Sequence, residues 1–305
     1  MAQPVLLLIP FLLLPATFQD TGSPGTQERA GTQIRVEVER VNVFVTVTDR
    51  QGRFVTDLSQ DRFIVYEDGI PQEITNFSRE SNLPLQIGLL IDTSASVRLK
   101  LDFEKRAAVN FIRSVMRRKD QALLVDFDRG TTLIQDFTDR PSEIVRGIES
   151  LRAGGGTAMW DALYMVARDK MTGRDARKTI VIVSDGEDLH SQLSFEETLK
   201  MIQTSEVTVY AIGTSRFGAS SNQKGEDNLK ELCELTGGTA FFPYSAERLD
   251  EAFDQINLEL RSQYTLTYRP RDLVPDGRFR RIEVRLVGGK GHQVRHRKGY
   301  RLPDF

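Results

Sequence analysis

Between residues 83 and 262 the chain alternates two hydrophobic rhythms, and that alternation narrows its possible folds more than any other feature. Leu85-Gln86-Ile87-Gly88-Leu89-Leu90-Ile91 is a nearly continuous apolar run, the pattern of a strand buried on both faces. Over Leu101–Met116 the spacing becomes helical. Phe103, Ala107, Phe111 and Val115 form one row of residues four apart, and Ala108, Ile112 and Met116 form a second. Further buried strands are predicted over 122–127, 131–137, 179–183 and 207–212, with a brief one over 240–242. Between them come helical stretches opened by Pro141, by Trp160 and by the capping box Ser194–Glu197. A helix bearing Leu229, Leu232, Cys233 and Thr236 is stopped by Gly237-Gly238, and a last one, capped by Ser245, bears Leu249, Phe253, Ile256 and Leu260. Strands alternating with helices predict an α/β domain built on a mostly parallel, doubly wound sheet.

On either side the period falls to two. Ile34, Val36 and Val38, and then Val41, Val43, Val45 and Val47, have polar or small partners between most of them, and Tyr264, Leu266 and Tyr268, and then Ile282, Val284 and Leu286, alternate in the same way. Asp49–Gly52, Glu67–Gly69 and Asp276-Gly277 supply turns, and Ile70–Phe77 reads as one returning strand. Residues 32–82 and 263–305 each hold too few strands to stand alone. The expected architecture is therefore an α/β domain over 83–262 inserted between two halves of a β-sandwich. Basic residues in the tail (Arg278, Arg280, Arg281, Arg285, Lys290, Arg295, Arg297 and Lys298) mostly alternate with apolar positions and read as a solvated strand face.

Charge and composition remove several classes of function. Lys+Arg number 41 against 43 Asp+Glu, which leaves no electrostatic footprint for nucleic acid. One cysteine, Cys233, excludes an intramolecular disulfide and a cysteine-based zinc cluster; its place on an apolar stripe makes it a core residue. The histidines are His190, His292 and His296, too few for a histidine-rich metal site, so oxygen-ligated metals remain. Val5–Leu14 is apolar but shorter than the ~20 residues of a spanning helix. Residues 1–18 are expected to be a signal peptide and 19–31 a linker, giving an exported chain, periplasmic or secreted, with no transmembrane segment when mature. Export without disulfides is compatible with a bacterial source.

Oxygen-bearing side chains gather at the ends of the predicted strands. Asp92-x-Ser94-x-Ser96 follows the first of them, Thr157 follows the triplet Gly154-Gly155-Gly156, and Asp185 lies in Ser184-Asp185-Gly186 after the fourth. The first motif alone is also the composition of a capped strand-to-helix turn. In a doubly wound sheet, however, the first and fourth strands can be neighbours whose carboxyl ends border the ligand crevice. Two carboxylates and three hydroxyls would converge there and suit a hard divalent cation.

These residues resemble the metal-ion-dependent adhesion site of von Willebrand factor type A domains, and the order of elements over about 84–262 is similar to that family. The flanking β segments resemble those of bacterial exported proteins carrying a von Willebrand-related domain. The resemblance implies Mg²⁺ (or Mn²⁺) held directly by Ser94, Ser96 and Thr157, with Asp92 and Asp185 acting partly through water. A carboxylate from a protein partner would complete the octahedron. Some integrin relatives continue with paired aspartates for an adjacent ion; Arg98, Leu99 and Lys100 stand here, so no second ion is expected.

The function so implied is a non-enzymatic, extracytoplasmic adhesion or protein-interaction module. The alternative is a metal-dependent hydrolase or phosphotransferase on the same oxygen ligands, which lacks a companion base or nucleophile. A nucleotide site is disfavoured, because Gly154–Thr157 lacks a phosphate-loop lysine and no Gly-x-Gly-x-x-Gly follows the first strand. Glu187 and Asp188 read as turn residues facing water. Asp161 either orients the Thr157 loop or complements a helix dipole. Asp126, Asp128 and Asp136 read as edge and turn residues, and His190 as a surface loop residue.

Overall fold

The first described strand, Val41–Thr48, points its valines one way, into a shared core. A computed structural model describes residues 40–79, 83–173, 176–215, 222–271 and 274–303. The expected signal peptide and linker, and the alternation at Ile34, Val36 and Val38, lie outside the described residues. The elements are β1 (Val41–Thr48), β2 (Phe63–Glu67), β3 (Ile70–Gln72), β4 (Ile74–Ser78), β5 (Leu85–Asp92), α1 (Leu101–Val115), β6 (Gln121–Phe127) and β7 (Thr131–Thr138). Then come α2 (Pro141–Ser150), α3 (Met159–Val166), β8 (Arg177–Ser184), α4 (Phe195–Thr204), β9 (Thr208–Gly213), α5 (Gln223–Thr236), β10 (Ala240–Phe241) and α6 (Ala246–Ser262). The tail carries β11 (Tyr264–Tyr268), β12 (Phe279–Leu286), β13 (Gln293–Arg295) and β14 (Gly299–Arg301).

Six strands make the central sheet in the order β10-β9-β8-β5-β6-β7. All neighbours are parallel except β6 and β7. Leu85, Ile87, Leu89 and Ile91 of β5 pack on one face with α1, α2 and α6, while Leu90 faces the side covered by α3, α4 and α5. Each such fully buried side chain contributes about 1.5–3 kcal/mol, so β5 is firmly anchored between the two helix layers. Gly88 sits where a Cβ would be 3.0 Å from the Met171 methyl, which lets the helix layer close on the sheet. The Ser194/Glu197 capping box forms, α5 ends at Gly237 in the left-handed region, and Cys233 is buried on the α5 stripe. Burial pushes the Cys233 thiol well above its ordinary range, in keeping with an inert core residue.

Two antiparallel four-stranded sheets flank this domain, β13-β1-β11-β4 and β14-β12-β2-β3. Each mixes strands from before and after the α/β segment. Valines of β1, tyrosines of β11 and apolar residues of β2, β12 and β14 share one hydrophobic core. The expected single strand Ile70–Phe77 is in fact two. β3 pairs with β2, and β4 pairs with β11 in the other sheet, so the chain changes sheets at Glu73. The strand predicted as buried over 131–137 is instead the half-exposed antiparallel edge β7.

Two further expectations are corrected. Phe103 is 40% exposed beneath the Arg106 guanidinium, and the buried α1 stripe starts from Leu101 and Glu104. Extending the Ala107–Phe111–Val115 row back one turn put Phe103 on the wrong side, because the stripe is centred on 104, 108, 111 and 115. The basic tail is not uniformly solvated either. Arg280 is fully buried, giving its guanidinium to the Val274 carbonyl and to Asp276. Arg297 pairs with Glu206 at 2.9 Å and donates to the Asn42 carbonyl, tying the tail to both β1 and the turn after α4.

Candidate metal centre

The carboxyl ends of β5 and β8 lie side by side, since the two strands pair in parallel register from Leu85↔Arg177 to Ile91↔Val183. The chain leaves β5 toward α1 on one face of the sheet and leaves β8 toward α4 on the other. This is the switch point at which a doubly wound sheet opens a crevice. Asp92 closes β5 there, wholly buried, and Asp185 follows β8 with 7% of its surface exposed.

A chain of hydrogen bonds joins four of the five sequence-predicted residues. The Ser94 and Ser96 hydroxyls are 2.9 Å apart, and Ser96 Oγ donates to Asp185 Oδ2 at 2.8 Å. Asp92 accepts from the Ser94 amide at 2.8 Å and from the Ser184 hydroxyl at 2.7 Å. The Ser184 hydroxyl in turn accepts from the Gly186 amide at 3.1 Å. Burial pushes the Asp92 carboxyl up to about 6, against the lowering effect of the Ser94 and Ser184 hydrogen bonds.

The loop that carries Thr157 is joined to the serine turn by backbone bonds. Among the described residues the Thr157 hydroxyl takes no part in the serine–aspartate chain of hydrogen bonds. Gly154 donates to the Thr93 carbonyl at 2.7 Å, and Ala95 donates to the Gly155 carbonyl at 3.2 Å. Gly155 has φ +76, and a Cβ there would collide with the Asp128 carboxyl; one at Gly156 would collide with the His190 ring. The glycine triplet thus earns its place by close approach as well as by backbone freedom.

Several surrounding residues have sharper roles than their composition suggested. His190 Nδ1 accepts from the Thr157 amide at 3.3 Å, while the Leu189 and His190 amides donate to the Thr157 carbonyl at 3.1 and 3.0 Å. His190 is exposed, yet it clamps the threonine loop. Asp188 is not simply facing water: it accepts from the Trp160 amide at 2.9 Å and from the Ser191 hydroxyl at 2.6 Å, capping α3 from another loop. Asp161 accepts from the Gln192 and Leu193 amides, so the loop that it orients is the one after Asp188. Glu104 was missed altogether. Its only sequence signal is a charge falling at i−4 from Ala108 and i−7 from Phe111 on a buried stripe.

The donor set fits a hard cation. In an octahedron with bonds of about 2.1 Å, adjacent ligand oxygens are about 3.0 Å apart, close to the separations along Ser94–Ser96–Asp185. Among the described residues no three His, Cys, Asp or Glu side chains group closely enough to hold an ion by themselves. Hydroxyls and water would have to supply the remaining positions.

A family model described as the von Willebrand factor type A domain matches residues 86–255, more than half of the chain and a span that includes these five positions. The chain belongs to the von Willebrand factor type A domain family. Among proteins, von Willebrand factor A domain-containing protein 3B of Homo sapiens is 27% identical over 161 residues, covering 51% of this chain and 12% of that protein. Integrin alpha-X of Mus musculus is 25% identical over 182 residues, covering 55% of this chain and 15% of that one. The similarity therefore spans a small part of each relative's length. Among solved structures, proximal thread matrix protein 1 of the mussel byssus aligns with a TM-score of 0.52 and 16% identity. It covers 64% of this chain and 50% of its own, and is described as having a zinc-occupied MIDAS motif. At that identity the likeness is one of von Willebrand type A fold.

Proposed function

We propose that this von Willebrand type A domain is a non-enzymatic, extracytoplasmic interaction module that binds an acidic group of a protein partner through Mg²⁺ (or Mn²⁺). Asp92, Ser94, Ser96, Thr157 and Asp185 are its proposed ligands. The observation that carries the reading is the run of oxygens Ser94–Ser96–Asp185 at octahedral-edge spacing on the crevice. When bound, the cation would supply positive charge that two carboxylates, acting partly through water, would screen incompletely at an open face. Ser96 is exposed while Asp92 and Ser94 are buried, so a ligand would approach from the Ser96 side. The clamp of His190 on Thr157 and the bonds from Gly154 and Ala95 would hold the three loops in register for it.

Nothing favours the hydrolase alternative. The imidazole nearest the site, His190, is occupied by a backbone amide rather than by a nucleophile. The proposed domain limits are 32–82 and 263–305 for the two halves of a β-sandwich and 83–262 for the α/β domain between them. The shared core of the two antiparallel sheets supports that pairing. Export, to the periplasm or outside the cell, rests on the pattern of residues 1–18, and no helix among the described residues is long and apolar enough to cross a membrane.

Capture of a partner from the native envelope or surroundings tests the reading. Wild-type protein with Mg²⁺ is expected to retain a partner that both chelator and Asp185→Ala release. Equal retention under all three conditions would overturn it.

A further inference from the structure

Glu104 lies in the first turn of α1 with 1% of its surface exposed, and among the described residues neither carboxyl oxygen has a partner at full hydrogen-bond geometry. A buried, unpaired acid is among the least favourable groups a core can contain. Local explanations fall short. Lys100, one turn earlier, gives its ammonium to the Thr214 carbonyl at 2.8 Å instead of pairing with Glu104. The Thr214 hydroxyl is the polar group that reaches Glu104, and a single hydroxyl can serve only one of its two oxygens. Favourable interaction with the helix dipole is already available from the exposed Asp102 in the same turn, and needs no burial. Besides Lys100, the charged groups that act on the Glu104 carboxyl are Asp92 first and then Asp185, the two acids of the proposed metal centre. The geometry joins these groups: Thr214, which holds Lys100 of the same helix turn, donates its amide to the Ser184 carbonyl at 2.9 Å, and the Ser184 hydroxyl donates to Asp92 at 2.7 Å. A buried acid short of partners beside two further carboxylates describes a pocket that lacks its positive charge.

We infer that Glu104 is a further carboxylate of the metal centre, facing the bound cation across water from behind Asp92 and strengthening its retention. The inference rests on the metal-site reading above. A direct bond is not implied, because no three acids here group at ligand spacing. In this role Glu104 is a positioning residue for cation-bound water, and its charge, not its shape, is what the centre uses.

Calorimetric titration of chelator-stripped protein with Mg²⁺ tests this on the full chain. Glu104→Gln keeps the shape and removes the charge; it is expected to weaken Mg²⁺ binding by about tenfold or more, the range for outer-shell partners of metal sites. In chelator the same variant is expected to melt no lower than wild type, since it removes an unpaired acid. Asp92→Asn is run alongside. If Glu104→Gln binds Mg²⁺ within twofold of wild type while Asp92→Asn does not, the inference fails and the metal centre stands. If Asp92→Asn also binds like wild type, the metal-site reading fails and takes the inference with it. If Glu104→Gln melts well below wild type in chelator, the carboxyl is structural and the inference fails as well.

Discussion

Asp92→Ala is expected to abolish the rise in melting temperature that Mg²⁺ gives the wild-type protein. At a Mg²⁺ concentration of about 100 times Kd, binding to the native state alone stabilises it by about 2.7 kcal/mol, or roughly 5–10 °C for a domain of this size. Asp92 is the deepest of the proposed donors and is wholly buried at the end of β5. The variant is also expected to melt lower in chelator. The Ser94 amide and Ser184 hydroxyl would lose their acceptor, at about 1–3 kcal/mol for each group left unsatisfied. Loss of a buried acid, whose carboxyl is pushed up to about 6, offsets part of this. Thr157→Ala separates the two effects. Its hydroxyl is outside the hydrogen-bond chain, so it should lose the Mg²⁺ response with little change in chelator. Scanning calorimetry with and without chelator reads both variants, and a wild-type Mg²⁺ shift in Asp92→Ala would refute the assignment.

The second large effect concerns stability. Glu259→Ala is expected to destabilise the protein by about 3 kcal/mol, as measured by urea unfolding. Glu259 is 2% exposed near the end of α6. It accepts from the Tyr210 hydroxyl of β9 at 2.8 Å and from the Thr46 hydroxyl of β1 at 3.2 Å, and it pairs with Arg295 of β13. Gln263 extends the network by donating to Tyr210 and accepting from Arg177, whose guanidinium also donates to the Leu260 carbonyl at 2.7 Å. One carboxylate thus ties the central sheet and its last helix to an antiparallel flanking sheet. Arg295 is about a third exposed, so the strength of its pair with Glu259 is partly screened. The figure is accordingly set at the low end for a broken buried pair. Glu259→Gln should cost less, about 1–2 kcal/mol, because its amide preserves most hydrogen bonds. A change below about 0.5 kcal/mol in Glu259→Ala would show that the flanking sheet is held by its apolar core alone.

Most of what positions the site was readable from residue order. Continuous apolar runs marked β5, β6, β8 and β9, because strands buried on both faces have no polar side. The loops after β5 and β8 could be placed together because a reversal in strand order leaves a crevice there. What escaped was long-range pairing. Nothing local in Ile70–Phe77 says that the chain will pass from β2's sheet to β11's, since both halves keep the same alternation. Arg280 reads as a surface charge in the sequence because its partners, a carbonyl and an aspartate, are supplied by the exposed turn just before it. His190 and Asp188 carried no spacing signal for roles that depend on a backbone amide elsewhere in the chain. Glu104 was hidden by a phase error of one residue on α1.

Whether five oxygen-bearing side chains grip one divalent cation is best tested by anomalous diffraction from crystals soaked in Mn²⁺. A single peak is predicted among Ser94 Oγ, Ser96 Oγ and Thr157 Oγ1, at about 2.1 Å from the hydroxyls it contacts. A map with no peak there, or with its Mn²⁺ bound elsewhere on the chain, would contradict the account.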